Sequence, residues 1–168
     1  MSSKNIMPTG SPLREDDVEK GRILSITYQP RARYNWATGV AIGRFLAELK
    51  AGRILGTKCN HCGRIVVPPR VFCELCFRRV DDWVHLPDTA TVNTFSISHI
   101  ATDTKRLKTP IVPAVIEIDG TSHAGFLHLL GEVSPQKITI GMRVKAVWKE
   151  PTQRMGSITD IKYFAPLA

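Results

Sequence analysis

Cys59-Asn60-His61-Cys62-Gly63-Arg64-Ile65-Val66-Val67-Pro68-Pro69-Arg70-Val71-Phe72-Cys73-Glu74-Leu75-Cys76 holds every cysteine of the 168-residue chain, spaced C-x2-C-x10-C-x2-C. Two C-x-x-C knuckles facing each other across a short hairpin bring four thiolates to the corners of a tetrahedron, the geometry of a structural Zn²⁺ site. Asn60-His61 and Glu74-Leu75 fill the knuckle turns, Gly63 follows the first pair, and Ile65-Val66-Val67 reads as a strand leaving it. The stretch therefore predicts a zinc ribbon with Cys59, Cys62, Cys73 and Cys76 as ligands. A redox pair or a disulfide framework is the competing reading. It is disfavoured because Met1-Ser2-Ser3-Lys4 lacks a signal-peptide pattern and no second cysteine-rich region follows. An all-thiolate, four-coordinate centre is closed, so the metal is expected to hold the fold rather than do chemistry.

Outward from the ribbon, the chain is of globular composition, 43% hydrophobic, and its apolar runs are too short to span a bilayer. With reduced cysteines it is expected to be cytoplasmic. The net charge of +8 points to an acidic partner: nucleic acid, a phosphorylated cofactor or an acidic protein surface. Between Gly52 and Val80, Arg53, Lys58, Arg64, Arg70, Arg78 and Arg79 stand against the single acid Glu74. Part of that excess offsets the formal −2 of a Zn(Cys)4 centre, and the rest forms a candidate anion-binding surface.

The predicted fold is mostly β: an N-terminal helical or irregular segment, a rubredoxin-like zinc ribbon, then a five-stranded OB-type barrel. Residues 1–20 read as a flexible arm, broken by Pro8, Gly10 and Pro12. Residues 21–53 hold a strand-like stretch at 22–28, an aromatic and basic irregular stretch, and an amphipathic helix over 40–51. In that helix Ile42, Phe45, Leu46 and Leu49 fall at i, i+3, i+4, i+7, with Gly52 at the C-terminal cap, and intramolecular packing of the stripe is favoured. The ribbon occupies 54–87, with Pro68-Pro69 ending the strand after the first knuckle and Trp83 covering its small apolar face. The barrel occupies 88–168. Strand 142–150 alternates Met142, Val144, Ala146 and Trp148 with Arg143, Lys145, Val147 and Lys149. Strand 111–118 ends in the hairpin signal Asp119-Gly120, and 122–130 returns from it. In strand 89–98, Val92 lies on one face and Phe95 and Ile97 on the other, a switch that predicts a bulge. The last strand is placed at 157–164, and the order suits an OB barrel.

This helix–ribbon–barrel order resembles the zinc-ribbon/OB-fold proteins associated with acyl-CoA metabolism, small partners of thiolases and thiolase-like enzymes. The likeness is carried by Phe45-Leu46, Gly52, Gly56, the four cysteines, Pro68-Pro69-Arg70 and Asp82-Trp83-Val84. Thr91-Val92, Phe95-Ser96 and Ile140-Gly141-Met142 extend it into the barrel, and Tyr28, Tyr34 and Trp36 extend it upstream. One departure is Glu74, where the family often has Pro after the third cysteine. The resemblance implies a non-catalytic accessory subunit in a hetero-oligomer with a thiolase-type enzyme. That enzyme would perform thiolysis, Claisen or retro-aldol chemistry on a CoA thioester, and CoA or acyl-CoA would be a ligand at the barrel or at its interface with the enzyme.

The residues agree with a binding role. A thiolase needs a free nucleophilic cysteine, and all four cysteines are assigned to zinc. No G-x-S-x-G, H-E-x-x-H or glycine-rich phosphate loop is present. His61, His85, His99, His123 and His128 are dispersed, so no catalytic residue is assigned. Arg70, preorganised by Pro68-Pro69, leads the candidates for the CoA phosphates, followed by Arg64, Arg78 and Arg79. Lys105, Arg106 and Lys108 join them from a basic loop between the first two barrel strands. Tyr28, Tyr34, Trp36 and Phe45 are partner-interface candidates. A nucleic-acid-binding ribbon/OB protein is the alternative, disfavoured because Trp148 falls on the apolar face and the barrel offers few other aromatics for base stacking.

Overall fold

The computed structural model describes residues 14–24, 26, 35, 37–80, 82–101 and 103–167. The chain divides into two units, residues 1–36 and 37–168. In the first, helix α1 spans Glu15–Glu19. Asp16 pairs with Lys20 at 2.7 Å and with Arg22 at 2.8 Å, and Asp17 also pairs with Arg22 at 2.8 Å. The Arg22 N–H donates to the Asp17 carbonyl at 3.0 Å, so the chain folds back where a strand was expected. Residues 22–24 and 26 lie outside any strand. Tyr28, Tyr34 and Trp36 lie outside the described residues.

In the second unit, helix α2 spans Gly39–Lys50, close to its expected bounds. The Gly52 N–H bonds the Leu49 carbonyl at 2.9 Å and the Arg53 N–H bonds the Glu48 carbonyl at 2.9 Å, a paired closure that needs the left-handed backbone of Gly52, φ +76°. Phe45 and Leu49 are buried, and Leu46 packs beside them. Phe45 corrects an expectation: only 3% exposed, its ring edge meets Phe126 at 6.2 Å, so it is a core residue rather than a partner anchor. Truncation to Ala would cost about 3–5 kcal/mol through lost burial and the cavity left behind.

The ribbon sheet has β1 (Ile54–Lys58) at its centre, with β2 (Ile65–Val66) and β5 (Asp82–Leu86) antiparallel on either side. A second small ladder pairs β3 (Phe72–Cys73) with β4 (Arg78–Arg79). Val67–Pro68 is a cis peptide, and the strand ends there, as the Pro68-Pro69 pair predicts. Trp83 is half-buried against the core, with the Arg44 guanidinium 4.4 Å from its ring centre.

The barrel strands are β6 (Thr89–Phe95), β8 (Arg106–Ile118), β9 (Gly125–Leu130), β10 (Arg143–Trp148) and β11 (Ile161–Pro166). They run β6–β10–β11–β9–β8, and β8 pairs back on β6 to close the barrel. β11 and β9 are parallel and the other pairs antiparallel. The register shifts between Val92 and Thr94, which is the bulge predicted from the face switch. Val144 and Ala146 of β10 face inward while Arg143 and Lys145 are exposed, as the alternation requires.

Three details differ from the sequence reading. The first barrel strand stops at Phe95, and β7 (Ser98–Ile100) pairs separately with β8. Arg106 and Lys108 therefore lie in a strand rather than in a mobile loop. The turn after β8 is wider than a two-residue Asp-Gly hairpin. The Asp119 carboxylate is held by Thr89 and Arg143, and the Thr121 hydroxyl spans the Ile118 and Ala124 carbonyls at 2.6 and 2.8 Å. Ser122 then joins barrel to ribbon, its N–H donating to the Ile65 carbonyl at 2.9 Å and its hydroxyl accepting from the Ile65 N–H at 3.1 Å. The last strand starts late because residues 158–160 form a 3₁₀ turn around the buried Asp160. Burial alone would raise the Asp160 pKa, but the amides of Met155, Ser157 and Gly156 outweigh it and hold the carboxyl below its ordinary value.

Candidate metal centre and exposed surfaces

The hairpin of β1 and β2 and the ladder of β3 and β4 each present one knuckle, and their four sulfurs lie within 4.8 Å of one another. Cys59 and Cys73 are buried, Cys76 half-buried and Cys62 exposed. The Cys62 and Cys73 sulfurs are 3.8 Å apart. That matches the edge of a tetrahedral zinc centre, about 3.8 Å for Zn–S bonds of about 2.3 Å. It is far longer than a disulfide bond of about 2.05 Å. The two knuckles repeat one backbone. The Gly63 N–H donates to the Cys59 carbonyl at 2.8 Å, and the Phe77 N–H donates to the Cys73 carbonyl at 2.9 Å.

The electrostatics fit a cation. The backbone amides of Cys62 and His61 point at the Cys59 sulfur and lower its pKa to about 7. Its proximity to Cys62 and the other sulfurs pushes Cys76 up to about 12. Four thiols in one site cannot all ionise near neutrality without a positive charge among them, and Zn²⁺ bound by Cys59, Cys62, Cys73 and Cys76 would supply it. His61 is exposed in its knuckle and is not part of the sulfur cluster.

The anion-binding candidates do not converge on one point. The Arg64 guanidinium is 2.5 Å from the Glu74 carboxylate, and that of Arg70 is 3.5 Å from it. Glu74, the position where the resemblance anticipated Pro, thus takes up two of the expected phosphate ligands and ties the two knuckles together. Its pKa is lowered by its own backbone N–H and by Arg64 and Arg70. Arg78 and Arg79 are exposed on β4 and, with Cys59, Asn60 and His61, line a shallow cavity of about 360 Å³. Lys105 pairs with Asp103 at 2.8 Å on the β7–β8 extension, which also carries the exposed Arg106 and Lys108.

The histidines stay apart. His85 faces Glu48 at 3.1 Å and His123 faces Glu117 at 2.8 Å, both on the surface. His128 accepts from the Leu129 N–H at Nδ1 (2.9 Å), and its Nε2 faces the Ile158 carbonyl at 3.2 Å, which assigns the Nε2–H tautomer. The barrel aromatics are also committed. Phe126 and Phe164 are buried edge to face, Trp148 lies 5.5 Å under Arg154, and the Tyr163 hydroxyl donates to Glu132 at 2.6 Å.

One surface escaped the strand-by-strand reading. Over residues 111–116 and 126–130, β8 and β9 are apolar on both faces except at His128. Val112, Ala114, Ile116, Phe126 and Leu130 point into the barrel. On the outer side, Pro113 sits across from Leu129 and Val115 across from Leu127, with Ile111 beside them. Leu127 is 67% exposed, Ile111 45%, Leu129 40% and Val115 36%. Pro113 and Leu127 are shared by two adjoining grooves, of about 500 and 360 Å³, and the larger is rimmed by Lys149 and Lys162. The run Ile111-Val112-Pro113-Ala114-Val115-Ile116 carried the signal, because an unbroken apolar strand is one covered on both sides.

Two family models match consecutive stretches of the chain. Residues 46–82 match a family model described as the ChsH2 rubredoxin-like zinc ribbon domain. Residues 83–149 match the ChsH2 C-terminal OB-fold domain. A DUF35 domain-containing scaffold protein of Methanocaldococcus jannaschii is 29% identical over 97 residues, which cover 57% of this chain and 67% of that one. A solved DUF35 protein of unknown function from Sulfolobus solfataricus shares 31% identity at a TM-score of 0.55, covering 66% of this chain and 77% of that one. The Ltp2-ChsH2(DUF35) aldolase structure superposes at a TM-score of 0.58 with 22% identity, covering 79% of this chain and 98% of the other.

Proposed function

This chain belongs to the DUF35 family, and from that premise we propose that it is a non-catalytic accessory subunit docked on a thiolase-like enzyme that processes a CoA thioester. The observation that carries this reading is the outer side of the β8–β9 hairpin, apolar and exposed at Ile111, Val115, Leu127 and Leu129. A solvated sheet face alternates with polar residues, whereas a face covered by protein does not. The enzyme subunit is the cover. Support comes from the commitment of all four cysteines to one cluster, which leaves no thiol to carry an acyl group. The scaffold designation of the archaeal relative points the same way. So does the aldolase named with the ChsH2 structure, to which this chain is alike in fold.

Zinc held by Cys59, Cys62, Cys73 and Cys76 fixes the ribbon and takes no part in turnover. The cavity lined by His61, Arg78 and Arg79 is the place on this chain where the phosphates of a CoA ligand would be drawn by charge, close to the ribbon surface. Phe126 and Phe164 are buried and Trp148 packs against the core, which works against base stacking, and so against nucleic acid.

The test is isolation of the full chain from its native cells with identification of what co-purifies, followed by Leu127→Asp. A CoA-thioester-processing subunit in fixed stoichiometry is expected, with no turnover by this chain alone. Leu127 is exposed in the free chain, so the variant should fold normally, yet it loses an apolar anchor worth about 1.5–3 kcal/mol when buried. That corresponds to a loss of roughly 10- to 100-fold in affinity. Nucleic acid in place of an enzyme, or turnover by the isolated chain, would refute the reading.

A further inference from the structure

The two knuckles of the ribbon impose the same backbone on different side chains. After the first pair, the residue with positive φ is Gly63, at +73°. After the second it is Phe77, at +51°, a conformation that side-chain-bearing residues rarely adopt. The metal fold therefore tolerates glycine here, and the chain carries a phenylalanine instead. Phe77 gains nothing obvious from burial, being 79% exposed. Around it Leu75 is 65% exposed, Val71 49% and Phe72 46%, and the Phe72 and Phe77 rings meet edge to face at 6.0 Å. Asn60 and His61 occupy the corresponding turn of the first knuckle, so an apolar tip is not a demand of the ribbon.

We infer that the second knuckle is a second docking element, with Phe77 and Leu75 as its anchors, seated in an apolar socket with an acidic rim on the enzyme subunit. This rests on the accessory-subunit reading above and adds a surface separate from the β8–β9 face. Charge selects the occupant. Of the charged residues at 70–79, Glu74 is paired with Arg64 and Arg70, and Arg78 and Arg79, next in the chain after Phe77, are exposed on β4. Apolar anchors beside exposed guanidinium groups complement an apolar pocket bordered by carboxylates. A single-stranded nucleic acid fits less well. Leu75 and Val71 offer no stacking face, and the interplanar angle of 74° between Phe72 and Phe77 does not present a stacking platform.

The experiment compares wild type, Phe77→Gly and Leu75→Ser as full chains, each titrated with the enzyme subunit that co-purifies with wild type. Zinc content and thermal midpoint are measured in parallel. Phe77→Gly places at the second knuckle the residue the first already uses. It is expected to keep stoichiometric zinc and a midpoint no lower than wild type, while its affinity for the enzyme falls at least tenfold. Leu75→Ser should lose a comparable amount, and wild-type affinity should fall with added salt. Unchanged enzyme binding by Phe77→Gly overturns the inference, as does loss of zinc, which would make Phe77 structural. A wild-type chain that self-associates or binds a single-stranded oligonucleotide through Phe77, with enzyme binding intact, overturns it as well. The two readings fail differently: no enzyme retained by wild type removes both, whereas release by Leu127→Asp with retention by Phe77→Gly removes only this one.

Discussion

The first and second knuckles are nearly the same object built twice. Each closes with one N–H to carbonyl bond back to its leading cysteine, at 2.8 and 2.9 Å, and each ends in a left-handed residue. One tip is Asn60-His61 with Gly63, polar and unstrained. The other is Glu74-Leu75 with Phe77, apolar, exposed and strained. What the two share is what the metal demands, and what differs is left free for recognition. Backbone strain at an exposed aromatic is therefore read as function, since the neighbouring knuckle shows that folding did not require it.

The largest effect should be common to both knuckles. Cys59→Ser and Cys73→Ser are each expected to abolish zinc binding and unfold the ribbon, as is chelation of the wild type. Structural zinc contributes roughly 10–16 kcal/mol in small zinc domains, more than a ribbon of this size can replace. Metal analysis with hydrogen exchange over residues 54–86 checks this, and a metal-free variant with a protected ribbon would contradict it. A variant pair that behaved unequally would break the symmetry on which the comparison stands.

The next effect separates the knuckles by sign. Gly63→Ala forces a Cβ into the left-handed region and is expected to destabilise by about 1–2 kcal/mol. Phe77→Gly removes the same penalty, against the greater chain entropy of glycine, and is expected to be neutral or stabilising by up to about 1 kcal/mol. Thermal unfolding at fixed zinc concentration measures both. Destabilisation by Phe77→Gly equal to that by Gly63→Ala would mean that the Phe72–Phe77 contact matters more to the fold than the strain.

The smallest effect concerns the link between them. Glu74 has its pKa lowered by its own amide, then by Arg64 and Arg70. A carboxyl with a depressed folded-state pKa contributes stability that is present above its unfolded value, about 4.3 for Glu. That contribution is lost as pH falls through the folded-state value. Glu74→Gln should therefore lower the unfolding midpoint slightly at neutral pH, with the two proteins converging as pH drops below about 4. The group is exposed, so the shift should be smaller than either of those above. A difference that grows on acidification would contradict this sign.

Much of this is legible in the sequence. Cysteine spacing located the metal centre because four ligands around one ion leave few alternatives, and period-2 patterning placed β10 and the bulge after Val92. Other features depend on contacts that local sequence does not announce. The Asp119-Gly120 signal gave a turn but not its width, because Asp119 is bound by Thr89 and Arg143, distant in sequence. Asp160 reads as one more surface acid until the loop brings three amides to it. The charge of Arg64 and Arg70 was visible, whereas their shared partner Glu74 was read only as a departure from a family pattern. Periodicity asks which face of a strand is buried, so it passed over the stretch 111–116 of β8, where both faces are apolar. The strain at Phe77 follows from its equivalence to Gly63, which the repeated C-x-x-C spacing already implied.

The most direct measurement is the mass of the native complex formed by the full chain with the enzyme subunit recovered alongside it, together with CoA-thioester turnover by each component. A fixed-stoichiometry assembly is predicted, active only through the enzyme subunit and dissociated by Leu127→Asp. A chain that remains alone, or that turns over a CoA thioester without a partner, would contradict the account.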